Sequence, residues 1–165
     1  MANAYGSSPV RCSTTDPTAA TLSHSGQLVY FMRRIARSGG AATIRRVDAR
    51  DLRRWCLRQP GAVEDFPFSP GLSVFKVAGK VFALSALDRE PLEVSVKCEP
   101  DLAVALRDSY PAIRPGYHLN KRHWNTITLD GSLPDQLVRD FVEDSYDLVV
   151  SALPKRVRDE LGWPP

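Results

Sequence analysis

The stretch LSVFKVAGKVFALSA, residues 72–86, predicts the β-hairpin on which the rest of the fold is built. Two runs rich in Val, Phe and Leu flank Ala78-Gly79, a pair of small residues that suits a tight turn. We therefore expect strands over residues 72–77 and 80–86. Each leg of this hairpin carries a lysine close to the turn, Lys76 before it and Lys80 after it.

A third strand is predicted over residues 92–98, where apolar and polar residues alternate. Leu92, Val94, Val96 and Cys98 form one row, and Glu93, Ser95 and Lys97 form the other. This period of two indicates an antiparallel strand with one buried face and one face toward solvent. Further extended segments are expected over residues 63–68 and 124–129.

Helices are predicted between these strands. Asp48 is a good N-cap for a helix whose Leu52, Trp55 and Cys56 share one apolar face. Pro111 ends a second helix, and Pro154 separates a long helix from a short last one. The sequence thus predicts an α+β fold, a twisted antiparallel sheet covered by helices, within residues 47–165. The expected helices cover residues 48–58, 99–110, 134–153 and 155–161.

The long helix has an apolar stripe and an acidic opposite side. The stripe predicted to be buried consists of Leu137, Val138, Phe141, Val142, Leu148, Val149 and Leu153. Its solvent side is expected to carry Asp140, Glu143, Asp144 and Asp147. An acidic surface repels phosphate, so this helix is a poor candidate for contact with nucleic acid.

Length and composition indicate a single soluble domain. The chain has 165 residues, 43% of them hydrophobic and 25% charged. Its three cysteines cannot form a disulfide framework. No apolar stretch approaches the ~20 residues of a membrane span, and basic residues follow the apolar run at 28–32 instead of preceding it as in a secretory signal. We expect a cytoplasmic monomer that does not associate with membranes.

The positive charge is concentrated at the N-terminus. Residues 1–46 hold six Arg and one Asp, a net charge of +5, whereas residues 47–165 hold 16 basic and 18 acidic residues, a net charge of −2. Residues 1–27 lack an apolar period, and residues 28–37 could form a short basic amphipathic turn of helix. We interpret residues 1–46 as a mostly disordered basic arm, because such a segment buries too little apolar surface to order itself.

The segment from Gly116 to Trp124 is the first candidate for a binding surface. It offers cations and hydrogen-bond donors for phosphate, together with flat rings for stacking, a mixture that suits contact with nucleic acid. The alternative is an ordinary loop, with a turn at Asn120-Lys121 and Trp124 in the core. The residues that carry the first interpretation are Tyr117, His118, Asn120, Lys121, Arg122, His123 and Trp124.

Lys76 and Lys80 form a second, weaker candidate, because a hairpin with a lysine on each leg can lie against a phosphate backbone. Lys97, which points outward from its strand, would share that face. The alternative is that all three lysines are ordinary solvated surface charges.

Catalytic and metal sites are not expected. His118 and His123 are five residues apart in a loop, which is not the i, i+4 spacing that places two ligands on one helix face. Cys56 and Cys98 lie on apolar faces and are interpreted as core residues. Phosphate-binding glycine loops and nucleophile elbows are missing from the sequence. We expect no cofactor and no enzymatic activity, the minor alternative being a general base at His118 or His123.

Five stretches of the chain together resemble the MmcQ/YjbR family. The resemblance runs from about residue 48 to residue 162, and residues 1–46 have no counterpart in the family pattern. The stretches are PGAVEDFPF (60–68), VFKVAGKVFA (74–83), VSVKC (94–98), PGYHLNKRHW (115–124) and SYDLV (145–149).

The resemblance implies a CyaY-like α/β fold and the family's usual description as a double-wing DNA-binding protein. The wings would be the Lys76–Lys80 hairpin and the Tyr117–Trp124 loop. Double-stranded DNA is then the expected partner, and the expected contacts are Lys76, Lys80, Lys97, Tyr117, His118, Asn120, Lys121, Arg122 and Trp124. The alternative is a non-catalytic module that binds a small, drug-type molecule or a protein in a pocket near His118 and Trp124.

Overall fold

The computed structural model describes residues 46–163, which form a six-stranded antiparallel sheet with helices on one face. The strands lie in the order β1-β2-β3-β4-β6-β5, so only the last two depart from chain order. The sheet therefore has β1 at one edge and β5 at the other. The strands are β1 (Ala62–Asp65), β2 (Ser73–Val77), β3 (Lys80–Ser85), β4 (Glu93–Lys97), β5 (Ile113–Pro115) and β6 (Trp124–Thr128).

The helices begin at the residues that their sequences favour. The Asp48 carboxylate accepts a hydrogen bond of 2.7 Å from the amide of Asp51 and so caps the first helix. Pro100 occupies the first position of the second helix, where its missing N–H costs nothing. The helices are α1 (Ala49–Leu57), α2 (Pro100–Ser109), α3 (Asp135–Ser151) and α4 (Lys155–Glu160).

The four helices found within residues 46–163 contribute to a single hydrophobic core on one face of the sheet. Helix α1 packs on β1, α3 packs on β2, β3 and β4, and α2 packs on β5 and β6. The alternation predicted for β4 is confirmed, since Leu92, Val94, Val96 and Cys98 are all buried. The fold is thus α+β, with an antiparallel sheet covered by helices, as the sequence indicates.

The central hairpin contains an irregularity that the sequence pattern hides. Phe75 lies opposite Ala83 while Lys76 lies opposite Val81, so Phe82 is an extra residue in β3. Phe82 is fully buried next to the equally buried Ala83. Its ring meets the ring of Tyr146 edge to face, with the two centroids 5.5 Å apart. The bulge therefore lets two successive residues of β3 enter the core.

Ser145 attaches α3 to the middle of the sheet. Its hydroxyl donates a hydrogen bond of 2.6 Å to the carbonyl of Phe82 and accepts one of 2.7 Å from the amide of Lys97. Tyr146 donates a further hydrogen bond of 2.7 Å to the carbonyl of Pro60, just after α1. These buried polar contacts set the position of α3 on β3 and β4.

One strand was not predicted and one expectation about a single residue is wrong. Residues 113–115 form the edge strand β5, which the sequence pattern does not reveal because three residues are too few to show a period of two. Asp140, expected on the solvent side of α3, is only 2% exposed. The arm predicted over residues 1–46 lies outside the described residues, except for Arg46.

Replacing a buried aromatic side chain of the core with alanine should destabilise the fold. Trp55 is 8% exposed and Phe141 is 4% exposed, so we expect Trp55→Ala or Phe141→Ala to lower the free energy of unfolding by about 3–5 kcal/mol. Urea denaturation measures this loss. Val104→Ala, at a position that is 53% exposed on α2, is the matched control and should cost well under ~1 kcal/mol. A loss of under ~1 kcal/mol at both aromatic positions would contradict the core described here.

Candidate nucleic-acid interface

Three segments that carry candidate binding residues meet at one end of the sheet. The register of Ala83 opposite Val96 places the start of β3, and with it the turn at Ala78-Gly79, beside the end of β4. Lys97, the last residue of β4, lies opposite Trp124, the first residue of β6. The Lys80 turn and the loop of residues 116–123 therefore project from the same end of the sheet.

The two projections start from strands that have one strand, β4, between them. From β3 to β6 there are two steps across the sheet, or about 10 Å between strand axes. The major groove of B-DNA is about 12 Å wide. The separation of these two strand axes is therefore similar to the width of that groove.

The turn at Ala78-Gly79 is tight because both residues have positive φ. Ala78 has φ 47° and Gly79 has φ 74°, the backbone combination of a type I′ hairpin turn. Lys80 follows directly and is exposed. The twist of this turn matches that of the strands, so the position of Lys80 is fixed by the hairpin backbone.

The loop of residues 116–123 is held by its own backbone. The amide of Gly116 donates a hydrogen bond of 2.9 Å to the carbonyl of Trp124. The Asn120 side-chain oxygen accepts one of 3.0 Å from the amide of Arg122, and the Asn120 carbonyl accepts one of 3.0 Å from the amide of His123. The side-chain oxygen of Asn120, predicted as a contact to nucleic acid, is thus already used inside the turn.

Gly116 is required by the close approach of the loop to β6. A Cβ atom at this position would lie 2.9 Å from the Cβ of Trp124 and 3.1 Å from the Cβ of Leu119. Both atoms are close to the backbone and cannot swing away. Only glycine lets the loop pass this close to Trp124.

Arg107 of α2 organises the loop and was not identified from the sequence. Its guanidinium donates to the carbonyl of Lys121 and, at 3.3 Å, to the carbonyl of Trp124. It also donates a hydrogen bond of 2.6 Å to the side-chain oxygen of Asn125, whose amide bonds the carbonyl of Ala103 at 3.3 Å. Arg107 follows the buried Leu106 on the helix. The sequence shows only that Arg107 is a cation next to the apolar stripe of its helix. It does not indicate which carbonyl and side-chain oxygens Arg107 binds.

Five of the predicted contacts are exposed on the loop itself, namely Tyr117, His118, Asn120, Lys121 and Arg122. Tyr117 is 71% exposed, and its ring centroid lies 4.0 Å from that of His118. His118 has φ 54°, a left-handed conformation in a residue other than glycine. Within residues 46–163, the ion pairs found include none to Lys80, Lys97, Lys121 or Arg122.

Lys76 differs from the other predicted cations because it is engaged in an ion pair. Its ammonium lies 2.5 Å from a carboxylate oxygen of Asp65, and its side chain is only 21% exposed. This hydrogen bond, followed by one from the amide of Phe66, lowers the pKa of Asp65. Glu64, the neighbour of Asp65, instead pairs with Arg53 at 2.6 Å. Lys76 is therefore already neutralised within the sheet.

A cleft of about 510 Å³ opens beside the loop, between the end of β4 and the C-terminal part of α3. His123 and Trp124 line it, whereas the predicted His118 does not border it and instead contacts Tyr117. The pocket expected near His118 and Trp124 is therefore bordered by Trp124, but by His123 in place of His118. Its other lining residues are Lys97, Cys98, Glu99, Asn120, Leu148, Ser151 and Ala152.

The two cysteines of the described region are buried and free. Burial, with a small contribution from Asp144, raises the pKa of the Cys98 thiol to about 12, and burial raises the pKa of Cys56 even further. The thiolate is the reactive form, so neither group is a nucleophile near neutral pH.

A group of three potential metal ligands was not found among residues 46–163, and no helix in that range is long and apolar enough to cross a membrane.

Loss of Arg107 should loosen the loop. We expect Arg107→Met to lower the free energy of unfolding by about 1–3 kcal/mol, because the side-chain oxygen of the buried Asn125 loses its charged donor. The amides of Gly116 and His123 should exchange faster with deuterated solvent. The control is Arg156→Met, which breaks only a surface pair whose arginine side chain is 90% exposed and should cost under ~1 kcal/mol. Unchanged exchange in the loop would refute the role given to Arg107.

The buried thiols should be inert while the protein is folded. Cys12, the third cysteine of the chain, lies outside the described residues and is replaced by serine so that only Cys56 and Cys98 can react. At pH 8, below the raised pKa of Cys98, we expect this Cys12→Ser variant to show no fast reaction with a thiol reagent. Two thiols should react once the chain is unfolded in guanidinium, because both then recover their ordinary acidity. Rapid labelling of Cys56 or Cys98 in the folded protein would show that the pKa shifts described above are wrong.

Known proteins are similar in sequence to about two thirds of this chain. The Escherichia coli K12 protein YjbR is 37% identical over 108 residues, which is 66% of this chain and 92% of that protein. The Escherichia coli O157:H7 protein YbdF is 38% identical over 104 residues, which is 63% of this chain and 85% of that protein. Both matches cover most of the relative's length.

Solved structures share the fold. The crystal structure of Deinococcus radiodurans DR2400, with a DUF419 domain, has a TM-score of 0.68 and 40% identity, covering 74% of this chain and 93% of that one. A Pseudomonas syringae protein has a TM-score of 0.55 and 28% identity, covering 62% of this chain and 98% of its own. The YjbR family model matches residues 57–148, more than half of the sequence. The chain is therefore a member of the YjbR family.

Proposed function

We propose that this YjbR-family protein is a small, non-catalytic cytoplasmic protein that binds double-stranded DNA. The observation that carries the proposal is the shared position of two basic projections, the Lys80 turn and the 116–123 loop, at one end of the sheet. Lys80, Lys121 and Arg122 are exposed there. Lys97, half-buried at the end of β4, lies between the two projections.

The chemistry of this surface suits contacts with the DNA backbone more than reading of bases. Lysine and arginine side chains bind phosphates and displace condensed counterions, which gives affinity for any sequence. The exposed ring of Tyr117 adds a surface that can pack on a sugar or base. His118 supports the ring of Tyr117 through its own ring contact. Trp124, the first residue of β6, lies opposite Lys97 at the base of the loop.

The charge of residues 46–163 predicts that binding by this part of the chain is weak and strongly salt-dependent. These residues include 17 basic and 18 acidic ones, so within this range attraction comes from the local cluster. Each phosphate contact contributes about 0.9 to the slope of log affinity against log salt. A cluster of four cations, with Lys76 held by Asp65, predicts a slope of at most about 4.

Titration of a labelled DNA duplex with the full chain, at several salt concentrations, tests the proposal. We expect Lys121→Ala/Arg122→Ala to weaken binding to every duplex alike and to lower the salt slope by about two units. Lys155→Ala/Arg156→Ala removes two cations from α4, where both pair with acids on their own helix. This control should leave the slope within about half a unit of the wild-type value.

The same titration separates the individual cations. Lys76→Ala should reduce affinity less than Lys80→Ala, since Lys76 is bound to Asp65 whereas Lys80 is exposed. The proposal fails if the full chain does not bind duplex DNA at low salt. It also fails if the loop variant and the α4 variant weaken binding equally, because the effect would then reflect net charge alone.

The cleft beside the loop favours a second candidate function, binding of a small flat molecule. Its volume of about 510 Å³ lies within the ~300–1,000 Å³ range of ligand pockets. Lys97 and His123 would hold an anionic group, and Trp124 and Leu148 would contact the flat body. Saturable binding of anilinonaphthalene sulfonate that Ala152→Trp abolishes, together with no DNA binding, would support this function over the first.

A further inference from the structure

The turn that joins α1 to β1 lies at the same end of the sheet as the two projections. Ala62, Val77 and Lys80 lie opposite one another in three successive strands. The start of β1 is therefore two steps across the sheet from the start of β3, or about 10 Å. We call residues 58–62, together with the part of α4 that packs on them, the Gly61 corner.

The C-terminal end of α4 packs against this turn and is fixed there. A Cβ atom added at Gly61 would clash with Cδ2 of Leu161, so Leu161 rests directly on the turn. Gly162, with φ 67°, ends the helix, and the amide of Trp163 donates a hydrogen bond of 2.9 Å to the carbonyl of Arg158. These two features form a Schellman ending, which holds the backbone of the last helical turn in place.

Arg158, in this last turn, is a cation without a partner. Its Nε is buried and has no hydrogen-bond acceptor, and the ion pairs found within residues 46–163 include none to its guanidinium. The residue as a whole is half-buried, so packing holds the side chain while part of it meets water. A buried N–H without an acceptor destabilises the folded state. An anionic oxygen at the solvent side of the guanidinium would offset this cost.

The other two cations of α4 are neutralised on the helix itself. Lys155 pairs with Asp159 at 2.8 Å. Arg156 pairs with Glu160 at 3.1 Å. The charges of these four residues cancel, so Arg158 supplies the excess positive charge of α4.

Arg58 brings a second unpaired cation to the Gly61 corner. It follows the last residue of α1 and is exposed. Because it precedes Gly61 by three residues, it lies within about 10 Å of that glycine. Glu143 borders the same small pocket as Arg58 but pairs with Arg139 at 3.0 Å. In the part of the chain that the structure describes, no ion pair to Arg58 is found.

Three unpaired cations from three elements thus surround one end of β1 and β2. Arg58 comes from the end of α1, Lys80 from the start of β3 and Arg158 from α4. Positive charge without an internal acceptor suits phosphate oxygens, and arginine can bond a phosphate through two N–H groups. Lys80 already belongs to the proposed DNA surface. The Gly61 corner therefore continues that surface toward β1.

We propose that the Gly61 corner is a phosphate-binding part of the DNA interface, in which Arg58 and Arg158 extend the contacts beyond Lys80. This inference rests on the DNA binding proposed above. From β1 to β6 there are four steps across the sheet, or about 19 Å, a length of about five or six base pairs. Two further phosphate contacts raise the largest expected slope of log affinity against log salt from about 4 to about 5.

Titration of a labelled DNA duplex with the full chain, at several salt concentrations, tests this extension. We expect Arg58→Gln/Arg158→Gln to weaken binding to every duplex and to lower the salt slope by about two units. Arg58→Lys/Arg158→Lys keeps both charges, so its slope should lie within about half a unit of the wild-type value. A purely structural role for these arginines would not make the slope follow the charge.

Arg156→Gln is the matched control, because Arg156 lies on the same helix as Arg158 but is 90% exposed and paired with Glu160. It should leave the slope within about half a unit of the wild-type value. If Arg58→Gln/Arg158→Gln does not fold, Arg58→Gln alone takes its place and should lower the slope by about one unit.

The outcomes separate this inference from the proposed function. The Gly61 corner does not bind DNA if its glutamine variant lowers the slope no more than Arg156→Gln while Lys121→Ala/Arg122→Ala lowers it by about two units. In that case the loop still binds DNA and only the extension is refuted. If the full chain does not bind duplex DNA at low salt, both proposals fail.

Discussion

The hydrogen bonds of Ser145 are the contacts on which the rest of the structure depends. One hydroxyl joins the carbonyl of Phe82 to the amide of Lys97, and so bridges two strands and a helix inside the core. A small polar residue permits this close approach, and its donor and acceptor are both used. Because the bulge at Phe82 lies at the same place, the position of α3 and the path of β3 are set together. The end of β4, where the candidate interface starts, is set by the same contact.

The alternation of apolar and polar residues in strands, together with the capping residues and prolines at helix ends, was enough to predict most of the fold. Strand β4 and the cap at Asp48 followed from local rules, because local and tertiary preferences agree there. The bulge at Phe82 could not be predicted, since a run of apolar residues has no period to break. The burial of Asp140 could not be predicted either, because a helical pattern shows which face a residue occupies and not what lies over that face.

The candidate site was predicted in composition but not in geometry. The sequence indicated which loop carries cations, and the register then showed that Lys80 and Lys121 lie toward one end of the sheet. It gave no sign that Asp65 binds Lys76 or that Arg107 holds the loop. Those contacts join residues 11 and 14 positions apart, and only the folded chain brings them together. Whether a given lysine or arginine is free to contact phosphate or is held in an internal ion pair depends more on its position in the fold than on its residue type.

The two edges of the sheet have a consequence for behaviour in concentrated solution. β1 has four residues and β5 has three, and Pro67 and Pro115 interrupt the backbone donors near both edges. A second molecule that tried to extend the sheet would find only a few hydrogen bonds to form. The exposed Phe68, 71% accessible beside β1, could otherwise nucleate aggregation. Short, proline-bordered edges thus protect the molecule from fibrillar self-association while leaving an aromatic surface in water.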